Sequence, residues 1–176
     1  MNESPDKIYI YGDIDEETAE NFAQNVYLCE DQKIKTINLF ICSDGGDVGS
    51  LIAILDLMIY FKAKRVKFRT VAEGKAYSCG AVILAYGTKG MRFARPNATI
   101  MLHPISYDSG HDYVNQQAAY SEFVKSQYEN LVSDLAKTCG YKTKAEILDF
   151  QEKIEKTLWL DAKSAIEFGV IDEILC

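Results

Sequence analysis

No two of the five cysteines, at positions 29, 42, 79, 139 and 176, stand in a C-x-x-C pair. The set is odd in number and scattered, and no signal peptide is recognisable ahead of it. It therefore implies no metal site and no cofactor, and predicts a reducing, cytoplasm-like setting: a cytoplasm, an organelle stroma or a host cytoplasm. Long apolar runs are missing too. Ala81 to Tyr86 falls far short of the ~20 residues a membrane-spanning helix needs, so no membrane role is expected. A basic stripe is absent: the net charge is -7, and the only basic run is Lys62 to Arg69 (KAKRVKFR). That run reads as the solvated end of a helix leading into a strand, which argues against a nucleic-acid partner. Internal repeats, linkers and low-complexity segments are lacking as well. What remains is one globular domain of 176 residues, 48% of them apolar, enough for a substantial core.

The chain is organised around Gly74 to His103, GKAYSCGAVILAYGTKGMRFARPNATIMLH. Ser78 stands before a small apolar helix-like run beginning at Cys79, and His103 ends the apolar strand Thr99 to Leu102. A serine hydroxyl is a poor nucleophile until an imidazole takes its proton, so the two form a candidate pair. A helix start suits a developing oxyanion, because its free N–H groups and positive dipole end face outward. Taken singly, Ser78 reads as a helix cap, His103 as a strand-end residue ahead of Pro104, and Gly45-Gly46 as a tight turn.

The flanking pattern alternates strand and helix. Lys7 to Tyr11 reads as a half-buried strand, and Asp15 to Cys29 as an amphipathic helix with an acidic start. Thr36 to Ile41 is a strand with both faces covered, stopping at Ser43-Asp44-Gly45-Gly46-Asp47. Val48, Leu51, Ile52, Leu55, Met58 and Ile59 form the core stripe of the next helix. Val66 to Ala72 is another strand. Such alternation predicts an α/β fold in which ligands gather beyond the carboxyl ends of strands, where Gly45-Gly46, Ser78 and His103 all fall. After the polar loop 104–112, a tyrosine-bearing stripe (Tyr113, Tyr120, Val124, Tyr128, Leu131, Leu135) predicts a helix from Tyr113 to Lys137, ~35 Å long. That length suits either a core helix or one packing on another copy. Lys144 to Lys153 is a short helix, Thr157 to Leu160 is extended, Asp161 caps a helix ending at Gly169, and Val170 to Leu175 is a last strand.

Four stretches resemble the proteolytic subunit family of the Clp protease, a self-compartmentalising serine peptidase, from about Lys7 to the end of the chain. They are INLFICSDGGDV, GKAYSCGA, KGMRFARPNATIMLHP and LDAKSAIEFGVIDEI. The resemblance implies a crotonase-like fold, a spiral of βαβ units with a long handle helix at 113–137. It implies Ser78 as nucleophile, His103 as general base, and the backbone N–H groups of Gly46 and Cys79 as oxyanion hole. By the same resemblance the substrates are peptides and unfolded proteins, and the assembly is seven-membered rings stacked face to face into a tetradecamer. The rings are homomeric or mixed with another Clp subunit, and an ATP-driven unfoldase is a possible partner.

This sequence departs from the family at several points. Thr157 falls where the family has its catalytic aspartate, and a threonine brings no charge to the imidazole. Asp161, Glu155 and Asp108 are the nearby substitutes, with Asp161 better explained as a helix cap. Lys156 replaces an arginine of the ring-to-ring contact, and an ammonium does not reproduce a bidentate guanidinium. The family's N-terminal pore segment reduces to Met1 to Asp6. Asp44 replaces a proline, which is expected to loosen the glycine turn. The leading expectation is a serine endopeptidase of weakened activity. The alternative is a catalytically impaired structural or regulatory subunit of mixed rings, and an acyl-CoA enzyme of the same fold stands third.

Overall fold

The computed structural model describes residues 6–104 and 114–176; the side chains of 114–121, 123 and 124 lie outside that description. The chain forms two compact units, one of Met1–Leu102 with Trp159–Cys176, the other His103–Leu158.

The first unit is built on a parallel sheet. Its strands are β1 (Lys7–Ile14), β2 (Thr36–Gly46), β3 (Lys67–Tyr77), β4 (Arg92–Ala94), β5 (Thr99–Leu102), β6 (Leu158–Asp161) and β7 (Glu173–Ile174). They run in the order β1-β2-β3-β4-β7, with β5 pairing β3 and β6. Every pairing with a defined register is parallel. The long strand β3 serves two neighbours in succession, pairing Thr70–Ala72 with β4 and Lys75–Tyr77 with β5. Its C-terminal half, still paired with β2 through Ser43 and Ala76, is the half that leads to Ser78.

Helices α1 (Glu16–Asp31), α2 (Val48–Ala63), α3 (Cys79–Ala85) and α6 (Ala162–Phe168) belong to the same unit. Aspartates start three of them. Asp15 accepts from the Thr18 N–H, Asp47 from Ser50 and Asp161 from Ser164, at 2.8, 2.7 and 2.8 Å. Each satisfies a first-turn N–H that has no acceptor inside its helix. Helix α2 is apolar nearly all round, so periodicity alone does not choose its buried face. Leu51, Ile54, Leu55, Met58 and Phe61 are buried, while Ile52 and Ile59 of the expected stripe are 41% and 52% exposed. Each large side chain so buried contributes ~1.5–3 kcal/mol.

The last turn of the chain is held by a buried ion pair. Arg92 is wholly buried, and its Nε and guanidinium reach both carboxylate oxygens of Asp172 at 2.9 and 2.7 Å. The backbone N–H groups of Gly90 and Arg92 donate to the same carboxylate. Burial pushes the Asp172 carboxyl up, but the Arg92 hydrogen bonds and charge, helped by Lys89, outweigh it and hold the group far below the usual carboxylate range. A depressed folded-state pKa contributes stability that is complete above the unfolded value of ~3.9 and is lost as pH falls below it. Asp172→Ala takes the carboxylate from a buried guanidinium and is expected to cost ~3–5 kcal/mol. Denaturant unfolding at pH 7 checks this, and the deficit against wild type should shrink in acid.

The second unit contains α4 (Val114–Cys139) and α5 (Lys144–Ile154). Helix α4 runs 26 residues, ending two residues beyond the expected Lys137; Tyr113, Tyr120 and Val124 of its expected stripe lie outside the described side chains. Thr143 and Glu146 close a capping box at the start of α5. Among the described residues no helix is long and apolar enough to cross a membrane, and no cluster of side chains could hold a metal ion.

Candidate active site

The site begins at the end of β2. This strand does not stop ahead of the glycines, as expected, but continues through them, because Asp13 and Ile14 of β1 pair with Gly45 and Gly46. Asp47 N–H donates to the Ile14 carbonyl at 2.7 Å. In a parallel ladder the residue flanked by such bonds turns its own N–H and C=O the other way. The polar groups of Gly46 therefore face away from β1, and its carbonyl accepts from Cys79 Sγ at 3.3 Å.

Only glycine fits at these two positions. A Cβ on Gly46 would lie 2.1 Å from the Ile14 carbonyl oxygen, and one on Gly45 2.7 Å from Ser78 Cβ. Both have positive φ, +109° at Gly45 and +154° at Gly46. Gly46→Ala is accordingly expected to displace the turn and remove activity without unfolding the sheet, which circular dichroism beside a peptidase assay would show. Fully buried Ser43 holds the turn from beneath, its Oγ accepting from Gly45 N–H at 3.0 Å. The Asp44 carboxylate pairs with Lys75 Nζ at 2.5 Å across the β2–β3 junction.

Ser78 follows β3 directly. Its N–H donates to the Met101 carbonyl at 2.8 Å, which continues the pairing with β5 by one residue. Its backbone sits at φ 53°, ψ -120°, a conformation non-glycine residues rarely adopt. Although Ser78 occupies the N-cap position of α3, its side chain makes no cap hydrogen bond, so the cap explanation fails. The half-buried hydroxyl lies instead over the space left by the missing Gly45 side chain. Ala81 and Val82 N–H both donate to the Ser78 carbonyl, at 3.0 and 3.2 Å. Cys79 is the first residue of α3, and its N–H has no acceptor within the helix. The glycine turn and the start of α3 thus meet at Ser78: Gly45 lies against the Ser78 side chain, and Cys79 Sγ reaches the Gly46 carbonyl. Because alanine keeps the positive-φ penalty and glycine does not, Ser78→Gly should be more stable than Ser78→Ala by ~1 kcal/mol, as thermal melts of the two variants would read.

His103 directly follows Leu102, the last residue of β5; it is half-buried and is the first residue of the second unit. Thr157 also belongs to the second unit, is exposed, and has φ 53°. Asp161 is occupied as the cap of α6, Glu155 is the C-cap residue of α5, and Asp108 lies outside the described residues. Sequence reasoning missed the Cys79 side chain and the hydroxyl of Ser43, since a single cysteine or serine carries no pattern. It also missed the edge-on contact of Tyr77, the residue before Ser78, with Trp159 at 5.2 Å.

A family model for the Clp protease matches residues 3–176. The chain belongs to the Clp protease family. It is 32% identical over 170 residues to the ATP-dependent Clp protease proteolytic subunit of Streptococcus salivarius, covering 96% of this chain and 83% of that protein. The proteins of the same name from Streptococcus thermophilus and Streptococcus pyogenes match with the same identity and coverage. The parallel sheet with its covering helices accords with a Clp protease fold. The matched span takes in Gly46, Ser78, Cys79, His103 and Thr157.

Proposed function

We propose that this chain is a serine endopeptidase subunit of a Clp-type barrel, cleaving peptides and unfolded proteins. The observation that carries the reading is the uncapped Ser78 hydroxyl, held at positive φ between the glycine turn and the start of α3. Ser78 Oγ attacks the scissile carbonyl and its proton passes to the His103 imidazole. The N–H groups of Gly46 and Cys79 donate to the oxyanion, an arrangement in which one donor is worth ~10²–10³ in rate. His103 then returns the proton to the leaving amine, and water releases the acyl group by the same route in reverse. Thr157 supplies no negative charge to the imidazolium, so turnover is slower than with a full triad.

The subunits form stacked seven-membered rings, homomeric or mixed with another Clp subunit, and receive substrate from an ATP-driven unfoldase. Family membership speaks against the acyl-CoA reading. The regulatory-subunit reading is favoured by Thr157 and by Lys156, both exposed. A fluorogenic peptide assay with native mass measured on the same sample separates the two. Hydrolysis by the particle alone supports the peptidase. An assembled particle that is inert, yet raises the activity of an added sister subunit, would make it the regulator.

A further inference from the structure

We infer that the Cys79 side chain is a positioning residue, whose thiol ties the Gly46 peptide to helix α3 and keeps the Gly46 N–H aimed at the acyl oxygen. The inference rests on the reading of Ser78 as nucleophile.

The need for such a tie follows from the turn itself. Glycine backbones have little torsional preference, and Gly45-Gly46 puts two of them in succession where one N–H must point one way. Bonds from three elements restrain the pair. Ser43 Oγ, from β2, accepts the Gly45 N–H at 3.0 Å. The Ile14 carbonyl, from β1, accepts the Asp47 N–H at 2.7 Å. Cys79 Sγ donates to the Gly46 carbonyl at 3.3 Å, with the Asp47 carbonyl at 4.0 Å. The first two fix the residues on either side of Gly46. The thiol reaches Gly46 itself.

The thiol also comes from the residue whose own N–H is the second oxyanion donor, so one residue sets both donors in a single frame. The N–H and C=O of one strand residue point to the same side, so restraining the Gly46 carbonyl restrains its N–H. Cys79 is 4% exposed, and burial pushes its thiol up, so it stays protonated and able to donate at neutral pH. A thiol is a weak donor, and the expected effect is correspondingly a fraction of what losing an oxyanion donor costs.

The test compares Cys79→Ala, which removes the donor, with Cys79→Ser, which keeps one on a shorter arm. In assembled particles of equal native mass, Cys79→Ala should lower kcat for a fluorogenic peptide by about tenfold with KM unchanged, and Cys79→Ser should recover most of it. Deuterium uptake across residues 43–48, followed by mass spectrometry, should rise in Cys79→Ala and return towards wild type in Cys79→Ser. A packing role would not be rescued by a hydroxyl. Wild-type kcat in Cys79→Ala, or equal losses in both variants, would overturn the inference. If wild type itself shows no Ser78-dependent hydrolysis, the peptidase reading fails. The exchange comparison still decides the tie, and unchanged uptake in Cys79→Ala refutes it.

Discussion

Ser78→Ala is expected to lower peptide hydrolysis by at least ~10⁴-fold, leaving only what binding and the oxyanion donors provide. The hydroxyl makes no cap bond, so removing it takes away a nucleophile and little structure. Alanine also keeps the strained backbone at φ 53°, so neither helix α3 nor the turn beneath it has reason to move. Native mass and melting temperature should therefore match wild type. Activity that persists in Ser78→Ala would place the nucleophile elsewhere, and a collapsed particle would mean that the hydroxyl is structural.

Thr157→Asp is expected to raise kcat/KM in assembled particles by ~10²-fold, recovering part of the ~10⁴ that a triad acid supplies. The backbone gives an independent reason to expect the substitution to be accepted. Thr157 has φ 53°, a region where a β-branched residue is an outlier and aspartate is several-fold enriched. The conformation at this position thus suits the family's residue better than the one present. Its N–H donates to the Ile154 carbonyl at 3.1 Å, a backbone bond that does not depend on the side chain. Stability should rise slightly or stay level while activity rises. Unchanged hydrolysis in Thr157→Asp would show that the missing acid has been assigned to the wrong position.

Much of the frame was legible because its signals are local. The strand Thr99–Leu102 coincides with its expected span, and Asp161 caps the helix it is expected to cap. The errors arise where tertiary contacts override local pattern. The glycines of β2 read as a stop, but β1 supplies them with a parallel partner. Strand β4 is three residues long and has no periodicity to read; it exists because β3 and β7 flank it. Ile52 and Ile59 were expected in the core in place of Ile54 and Phe61, since α2 is apolar on every side. Nothing local marks Arg92 as a core residue, and its buried charge is met by Asp172, 80 residues away.

For the site, the serine and the turn were found because a hydroxyl before a helix and a glycine pair after a strand are themselves chemical signals. The thiol that joins them was not, because its role depends on a 3.3 Å approach between residues 33 apart.

The central claim is that Ser78 is an activated nucleophile, and the most direct measurement is covalent labelling of the purified particle with a fluorophosphonate probe, followed by mass-spectrometric mapping of the adduct. The account predicts a single adduct on Ser78, absent from Ser78→Ala and from His103→Ala, on particles whose native mass corresponds to about fourteen subunits. An intact particle of that size that takes no label, or takes it on a different residue, would contradict it.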